Sequence, residues 1–298
     1  MGTAHDAVRR RLGRVGAWTF GFDGRAPAAI TTDVRAIEEA GYPALWIPEG
    51  GGSNDVLTTL SWLLHASEHL TVASGIANIS AREPEVLARG AAFLRAAHED
   101  RLVLGIGVGH EYTTERRGMA WDRPLERMRS YLDVMDGEPA DVATPRLLAA
   151  LGDGMLRLAS TRVLGAHSYF VPVEHTAHAR QVLGPEPVLA VELGIVPGAD
   201  RTAALEAARA WAVHYLELPN YANNWRRLGF GDDDVAGVGS DRLLEAAIAW
   251  GDADALCDRV RAHLDAGADH VCVQVLEAED MDTEVAALIA LAPEVLSV

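Results

Sequence analysis

The chain has 298 residues, of which 49% are hydrophobic, and a formal net charge of −17. With 43 acidic against 26 basic residues, its surface would repel nucleic acid and anionic membranes, so we expect neither as a partner. Every basic residue is an arginine. The absence of lysine excludes Schiff-base and pyridoxal-phosphate chemistry and the P-loop type of phosphate site.

The cysteines and the first residues of the chain bear on its location. Cys257 and Cys272 are the only cysteines, and neither belongs to a CxxC pattern, as is usual in a reducing compartment. The first fifteen residues are polar and rich in arginine, which is unlike a secretory leader. We therefore expect a cytoplasmic protein whose two thiols are core residues.

Eight short apolar runs along the chain predict β-strands. They lie at residues 14–20, 44–49, 70–78, 101–109, 146–151, 166–171, 187–196 and 269–276. The segments between them carry apolar residues at three- and four-residue spacing, which predicts helices, for instance one with Val34 and Ile37 on one face that ends at Gly41. Another helix begins at Pro124 and ends at Gly137. The alternation predicts an α/β fold, a single (β/α)8 TIM barrel over residues 1–298.

The gap between predicted strands 7 and 8 is the longest in the chain. Residues 200–268, approximately, have room for two or three helices instead of one, so we predict a helical insertion there. Its polar turn with aromatic residues, at 219–230, is a candidate lid or dimer contact. The stretch 137–144 is predicted to be a plain loop.

The ends of predicted strands 3 and 4 carry the strongest signal for a site. The runs LTVASGIANIS and RLVLGIGVGH both finish in glycine-rich turns with polar residues at the exit, and sites in parallel barrels lie at the carboxyl ends of the strands. The glycines of GIGVGH would let the backbone approach a ligand closely. Their spacing does not match the GxGxxG fingerprint of dinucleotide-binding folds.

Taken in order, the strand-end motifs resemble those of the luciferase-like monooxygenase superfamily, and within it the oxidoreductases that use the deazaflavin coenzyme F420. The motifs are WTF after strand 1, ALWIPE at strand 2, VASGIANISAREP at strand 3, LGIGVGH at strand 4 and GAHSYFVPVEHT at strand 6. The resemblance implies an enzyme that transfers a hydride between F420 and a small organic substrate. It also implies that the enzyme is a homodimer. In such chemistry the protein orients the coenzyme and supplies a proton donor or acceptor.

The same resemblance implies that the coenzyme ring rests on a bulge at the end of strand 3. A cis peptide bond between Gly75 and Ile76, preceded by Ser74, would form the bulge, and Asn78 would lie close enough to bond the coenzyme. The alternative is that Gly75 simply ends a strand in ordinary conformation.

Two further segments would complete the coenzyme site by resemblance. Gly107 and Gly109 of strand 4 would lie beside the ring, and Gly152, Asp153 and Gly154 would bring the phosphate to a helix N-terminus, which attracts anions. Relatives usually have Gly-Pro in this turn. The carboxylate of Asp153 would repel a phosphate unless it points away.

Three residues are candidates for the chemistry itself. His110 follows strand 4 where relatives carry a polar residue for proton transfer, and histidine suits that role because its ordinary pKa is close to neutrality; the alternative is a surface histidine in a turn. Glu49 and Glu192, at the ends of strands 2 and 7, are a catalytic and a substrate-pocket candidate respectively. Each could equally be a structural carboxylate paired with arginine.

The remaining pocket candidates are apolar or basic. Trp18 and Phe20 leave strand 1 on alternate positions and could form a pocket wall or fill the core, and His167 on strand 6 would also face the substrate. An acidic protein that binds an acidic coenzyme needs local positive charge, for which Arg82 is the leading candidate.

Other functions remain open at this stage. An FMN-dependent monooxygenase of the same superfamily would share the ring site. A barrel that has lost catalysis and only binds a ligand would explain departures from the family pattern at Gly50, Asp153 and Leu193. A hydrolase metal site would have to use two histidine pairs that do not form HExxH, so we expect no metal; the pairs are His65 with His69 and His175 with His178.

Overall fold

The computed structural model describes residues 3–139, 143–276 and 280–298. Within these residues the chain forms ten strands. They are β1 (Val15–Trp18), β2 (Ala44–Ile47), β3 (Thr71–Ser74), β4 (Ala77–Asn78), β5 (Leu102–Gly107), β6 (Arg146–Ala149), β7 (Gly165–Ser168), β8 (Val188–Pro197), β9 (Ile248–Gly251) and β10 (His270–Val275). The predicted plain loop at residues 137–144 lies partly outside the described residues.

Fourteen helices occupy the same described ranges. They are α1 (Ala4–Leu12), α2 (Pro27–Glu39), α3 (Val56–Ala66), α4 (Pro84–Ala97), α5 (Glu111–Glu115), α6 (Pro124–Asp136), α7 (Asp153–Arg162), α8 (Val173–Leu183), α9 (Arg201–Leu216), α10 (Pro219–Arg227), α11 (Asp232–Val235), α12 (Asp241–Ala247), α13 (Ala253–Asp265) and α14 (Met281–Val295). Among them, none combines the length and the apolar character that a membrane-spanning segment needs.

Eight of the strands close into a parallel barrel. Their order is β1, β2, β3, β5, β6, β7, β8 and β10, and β10 pairs with both β8 and β1. Val271, for example, is in register with Val191 on one side and with Val15 on the other. The predicted TIM barrel is confirmed, because all eight predicted runs form its strands in the predicted order.

The predicted helices follow their sequence signals. In α2, Pro27 occupies the first turn, where its missing N–H is not needed, and Val34 and Ile37 are buried against the barrel. Helix α6 begins at Pro124 and is followed by Gly137, as predicted.

The sequence interpretation underestimated the insertion. The gap between β8 and β10, which lies wholly within the described residues, holds the five helices α9 to α13 and the strand β9 instead of two or three helices. Strand β9 was not predicted. It pairs with the outer half of β8, where Gly194 is in register with Ile248, so β8 is long enough to serve both the barrel and the insertion.

Two apolar clusters position the site. Inside the barrel, Trp18 and Trp46 pack with Cys272, and Val8 and Leu12 of α1 join them. Helix α1, which the sequence interpretation missed, lies at the amino ends of the strands and closes that end of the barrel. The insertion has a cluster of its own around Phe170, Trp225, Leu243, Leu244 and Ile248. It therefore forms a packed unit that can lie against the opposite, carboxyl end.

Candidate active site

A cavity of about 730 Å³ lies at the carboxyl ends of the barrel strands. Its lining comes from the segments that follow β1, β2, β3, β5, β6 and β7, and from helices α9 and α10 of the insertion. This volume is within the usual range for sites that enclose a small molecule or cofactor.

One wall of the cavity is the bulge at the end of β3. The Gly75–Ile76 peptide bond is cis, as predicted, and both residues line the cavity. A Cβ atom at position 75 would lie 2.8 Å from Nε1 of Trp18 and 3.1 Å from Nε2 of His167. Only glycine fits this position without displacing those rings. Ser74 does not line the cavity; its hydroxyl donates to the Gly105 carbonyl (2.8 Å).

The two glycines of β5, Gly105 and Gly107, leave space for the residues of the bulge. A Cβ at Gly105 would lie 1.9 Å from the Ser74 carbonyl oxygen, and one at Gly107 would lie 2.6 Å from the Ile76 side chain. Gly107 does not line the cavity, so the geometry does not favour the expectation that it lies beside the coenzyme. Gly109 does line it, with a φ of 71° and with the Asn78 amide where a Cβ would be.

Asn78 is held rigidly at the edge of the bulge. Its backbone N–H donates to Oε2 of Glu49 (2.8 Å), and its side-chain oxygen accepts from the backbone N–H of Ser80 (2.9 Å). Its amide nitrogen contacts the Thr113 hydroxyl at 3.4 Å. The residue lines the cavity, as expected for a group that contacts a ligand there.

Glu49 lines the cavity but is fully engaged. It forms an ion pair with Arg82 and accepts from the backbone N–H groups of Asn78 (2.8 Å) and Val56 (3.4 Å). Arg82 also pairs with Asp55 at 2.8 Å. Of the two interpretations, the structure favours the carboxylate paired with arginine over the catalytic one. Arg82 is likewise paired with carboxylates, so the geometry does not favour the expectation that it supplies positive charge to the coenzyme.

The N-terminus of α7 forms another part of the lining. Gly152 and Gly154 line the cavity, whereas Asp153 does not. The Asp153 carboxylate turns outward and accepts from Nε2 of His178 (2.7 Å) and from Arg157 (2.9 Å). The hydrogen bond from His178 is the main cause of its lowered pKa. Because the carboxylate points away from the cavity, it does not prevent this turn from binding an anion.

Arg227, on α10 of the insertion, brings a positive charge to the cavity lining, whereas Arg82 does not line the cavity. It lines the cavity, and its Nη2 atom would lie 3.5 Å from a Cβ at Gly152. Nη2 also donates to the side-chain oxygen of Asn224 (3.1 Å). Within the described residues, Arg227 forms no ion pair with a carboxylate. Its sequence position gives no hint of this placement, because α10 follows β8 whereas Gly152 follows β6.

His110 lies at the N-terminus of α5 and lines the cavity. Its ring is nearly parallel to that of Tyr112 (centroids 5.9 Å apart, 8°) and 5.9 Å from that of Tyr221. The pKa of His110 is lowered to about 4, mainly by burial and to a smaller extent by the neighbouring His214. His110 is therefore a neutral imidazole near pH 7, able to accept or donate a hydrogen bond.

The strand-6 candidate His167 lies deeper in the barrel. It lines the cavity with Trp18 and Phe20 and stacks on Trp46 with centroids 4.5 Å apart. Burial lowers the pKa of His167 to about 3. Below it, the Trp46 indole N–H donates to Nε2 of His270 (2.9 Å), so this polar pair is satisfied within the barrel.

Glu192 is inside the barrel but does not line the cavity, so the geometry does not favour its assignment to the substrate pocket. It faces the interior in register with Cys272, and one carboxyl oxygen accepts from the backbone N–H of Phe170 (3.1 Å). Burial raises the pKa of Glu192 to about 8. Glu192 lies in the middle of β8 (Val188–Pro197) and not at its carboxyl end, where the sequence interpretation placed it.

Several lining residues were not singled out from the sequence because they belong to the insertion. They are His214, Tyr215, Asn220, Tyr221, Asn223 and Arg227. The only sequence signal was the polar and aromatic turn at 219–230, a candidate lid or dimer contact. Helix α10, which covers most of that turn, forms one side of the cavity.

The histidine pairs lie apart from this site. His65 and His69 are exposed outside the barrel, while His175 contacts the Leu151 carbonyl (3.0 Å) and His178 contacts Asp153. Across residues 3–139, 143–276 and 280–298, no group of three or more histidine, cysteine, aspartate or glutamate side chains is placed to hold a metal ion.

Comparison with known proteins gives a consistent result. Residues 14–138 match the family model of the luciferase-like monooxygenases. A 5,10-methylenetetrahydromethanopterin reductase of Archaeoglobus fulgidus is 28% identical over 102 residues, which are 34% of this chain and 31% of the relative. A putative coenzyme F420-dependent oxidoreductase of Mycobacterium tuberculosis is 31% identical over 103 residues, or 34% and 29% of the two chains. The match thus spans less than a third of the length of either relative.

Similarity in fold extends over nearly the whole chain. The coenzyme F420-dependent tetrahydromethanopterin reductase of Methanopyrus kandleri superposes with a TM-score of 0.75 at 17% identity, covering 96% of this chain and 99% of that one. The oxygenating constituent of 3,6-diketocamphane monooxygenase from Pseudomonas putida, in complex with FMN, gives a TM-score of 0.71 at 15% identity, covering 95% and 98%. Residues 14–138 of this chain are thus similar to the luciferase-like monooxygenases, and the barrel that the two solved structures share extends over nearly the whole chain.

Proposed function

We propose that this protein is an F420-dependent oxidoreductase that transfers a hydride between the coenzyme and a small organic substrate. The observation that carries the proposal is one cavity that joins the bulge at Gly75–Ile76 to the N-terminus of α7 beside Arg227. The first feature offers a surface for a flat ring and the second a site for a negatively charged tail. The similarity to a putative coenzyme F420-dependent oxidoreductase of Mycobacterium tuberculosis supports this assignment, over the third of the chain that it matches.

The residues of the cavity fit the coenzyme in three respects. At Gly75 no Cβ could be accommodated beside Trp18 and His167, so the bulge is shaped by surrounding side chains. The N-terminus of α7 is opened to the cavity by Gly152 and Gly154, and helix N-termini attract phosphate. Arg227 adds a cation at the same place. We therefore assign the ring to the bulge, with Asn78 at its edge, and the phosphate to α7 and Arg227.

The proton in this reaction is assigned to His110. When bound, F420 supplies a ring carbon that accepts or donates the hydride. The imidazole of His110 would take up the proton of a substrate hydroxyl as the carbonyl forms, or return it in the opposite direction. Its lowered pKa keeps it neutral, and hence available as a base, at neutral pH. Glu49, paired with Arg82, accepts a hydrogen bond from the Asn78 backbone N–H and so fixes Asn78 beside the bulge to which the ring is assigned.

An FMN-dependent monooxygenase is the second candidate. The structure with FMN bound that shares the barrel supports it, and a phosphate at α7 would suit either cofactor. A barrel without catalysis is the third outcome.

One binding experiment separates the three. Purified protein is titrated with oxidised F420 and, separately, with FMN, while melting temperature and equilibrium dialysis are followed. We expect F420 to bind at least tenfold more tightly, and at a hundred times its Kd to stabilise the protein by about 2.7 kcal/mol. Tighter binding of FMN would transfer the assignment to the monooxygenases. Binding of neither would refute a redox function.

We also propose that the protein forms a homodimer and works in the cytoplasm. The resemblance to the F420-dependent branch supports the dimer, and the two unpaired, buried cysteines suit a reducing compartment. Light scattering after size-exclusion chromatography tests the first statement, because a mass near 31.9 kDa would identify a monomer.

A further inference from the structure

Aromatic rings line the cavity on the side formed by β1, β7, α5 and the insertion. We call them the aromatic wall; its members are Trp18, Phe20, His110, Tyr112, Tyr169, His214, Tyr215 and Tyr221. They come from segments far apart in the sequence. None of the residues assigned to the coenzyme's ring or phosphate belongs to this wall, so it remains for the substrate.

Five rings of the wall contact each other in a closed circuit. Tyr215 and Tyr221 have centroids 5.2 Å apart, and the remaining neighbours follow at 5.4 to 5.9 Å through His214, Tyr112 and His110 back to Tyr221. The rings therefore present both faces and edges to this side of the cavity. An aromatic ligand can pack against faces and edges in offset-stacked or edge-to-face geometry.

Hydrogen bonds hold the wall in place. The Tyr169 hydroxyl donates to the side-chain oxygen of Gln274 (2.9 Å) and accepts from the Trp211 indole N–H (3.1 Å). The Tyr215 hydroxyl lies 2.9 Å from the Tyr169 hydroxyl and donates to its oxygen, since the single proton of Tyr169 is already used. With these hydroxyl groups occupied, the wall offers ring surface that is ordered before a ligand arrives, which favours binding.

The carboxylates and the arginine of the cavity lining lie outside the wall. None of its eight members is an acid, a lysine or an arginine. Of the described lining residues, the two carboxylates are Asp23, which accepts from the backbone N–H of Asn54 (2.9 Å), and Glu49, which pairs with Arg82. The one lining arginine, Arg227, lies at the α7 turn. A charged substrate would thus lose its hydration at the wall without gaining a partner.

We infer that the substrate is an uncharged, flat aromatic molecule that lies against the aromatic wall with its reacting carbon–oxygen group toward His110. This inference deepens the proposed function, on which it rests for the nature of the reaction. The wall by itself sets the class of molecule, because packed aromatic rings favour another ring over a saturated skeleton of the same outline.

A matched set of probes tests the inference by isothermal titration calorimetry. The set contains 2-acetylnaphthalene, its fully saturated bicyclic analogue, 2-naphthoate and trimethyl(2-naphthyl)ammonium, each measured with the protein alone and with the protein saturated with F420. We expect the neutral aromatic ketone to bind about tenfold more tightly than the saturated one, with both ions weaker still. Equal binding of the two ketones, tighter binding of either ion, or no binding of the aromatic ketone to folded protein would overturn the inference.

Variants locate the preference on the wall. Tyr112→Leu changes a residue that is 43% exposed, so the fold should tolerate it, and Tyr221→Leu changes the ring on the other side of His110. Both should reduce the preference for the aromatic ketone several-fold. Phe93→Leu, on the outer face of α4 and 73% exposed, should not. An unchanged preference in both tyrosine variants would place the binding site elsewhere.

The outcomes separate this inference from the proposed function. If F420 binds but the aromatic ketone shows no preference, only the substrate class is wrong. If the preference is present in the protein alone and F420 fails to bind, the wall is a real aromatic site and the coenzyme assignment is wrong.

Discussion

Arg227→Gln should weaken coenzyme binding without affecting the fold. Arg227 lines the cavity beside Gly152, and its hydrogen bond to Asn224 does not neutralise it. A hydrogen bond between a charged donor and a phosphate contributes about 1.5–3 kcal/mol. Since Arg227 is exposed, solvent screening reduces this to roughly 1–2 kcal/mol, which corresponds to ~5–30-fold in Kd.

The neighbouring residue provides a control of equal charge change. Arg226 pairs with Asp232 at 2.8 Å on the surface and does not line the cavity. Arg226→Gln should therefore leave the Kd for F420 within about twofold, by the usual size of an exposed ion pair. The two variants have the same net charge, so a difference between them reports position and not overall electrostatics.

The assay is fluorescence titration with F420 at low and high salt, repeated with a deazaflavin analogue that lacks the phosphate. Arg227→Gln should weaken F420 but not the analogue, and it should make F420 binding less sensitive to salt, because an electrostatic contact is lost. If Arg227→Gln binds F420 as tightly as Arg226→Gln does, or weakens the analogue equally, the assignment of the phosphate to α7 and Arg227 is refuted.

Three further predictions concern other parts of the site. Gly75→Ala would place a Cβ 2.8 Å from Nε1 of Trp18 and should destabilise the protein by about 1–3 kcal/mol in denaturant unfolding, whereas Gly231→Ala, whose Cβ would have no neighbour closer than 3.9 Å, should change stability far less. His110→Ala should lower kcat by about 10²–10⁴-fold and leave the Kd for F420 within a few-fold of the wild-type value. In the wild-type enzyme, the part of the rate that depends on His110 should be lost only as the pH falls toward about 4. An unchanged kcat in the variant would remove His110 from the mechanism. Because burial raises the pKa of Glu192 to about 8, the folded state binds an extra proton between its unfolded pKa and pH 8, so stability should fall as the pH rises through that window. Glu192→Gln, which stays neutral, should flatten the change in melting temperature between pH 5 and pH 8, and a variant with the same pH dependence as the wild type would contradict the buried, protonated carboxyl.

The predicted residues that the structure brings to one cavity owe their position to local sequence. Gly75 and Ile76 follow directly on a buried strand, and His110 follows the next barrel strand along the chain, so adjacency in the sequence was enough to bring them to the same end of the barrel. The turn at Gly152 and Gly154 was found for the same reason, since it joins a strand to the helix that begins beside it. In each case the chain neighbours of a residue determine its place.

The residues that sequence reasoning did not place depend on contacts across the barrel mouth. Arg82 and Arg227 are both arginines in polar segments, and only the placement of Glu49 and Asp55 beside the first decides which of them stays available to a ligand. Gly107 lies in the same motif as Gly109, but the Ile76 side chain fills the space in front of it. Sequence spacing carries no information about which side chains meet in this way.

From its sequence alone, this protein is an eight-stranded barrel with a site at the carboxyl ends of its strands, because the period of apolar residues and the glycine and proline positions fix each element locally. Tertiary structure decided how the insertion is used. Only when α9 and α10 pack over the mouth do Tyr215, Tyr221 and Arg227 join His110 and Gly152 around one cavity. The physical reason is that local patterning determines which face of an element is buried, whereas the partners of that face are chosen by the closure of the barrel and the packing of the inserted helices upon it.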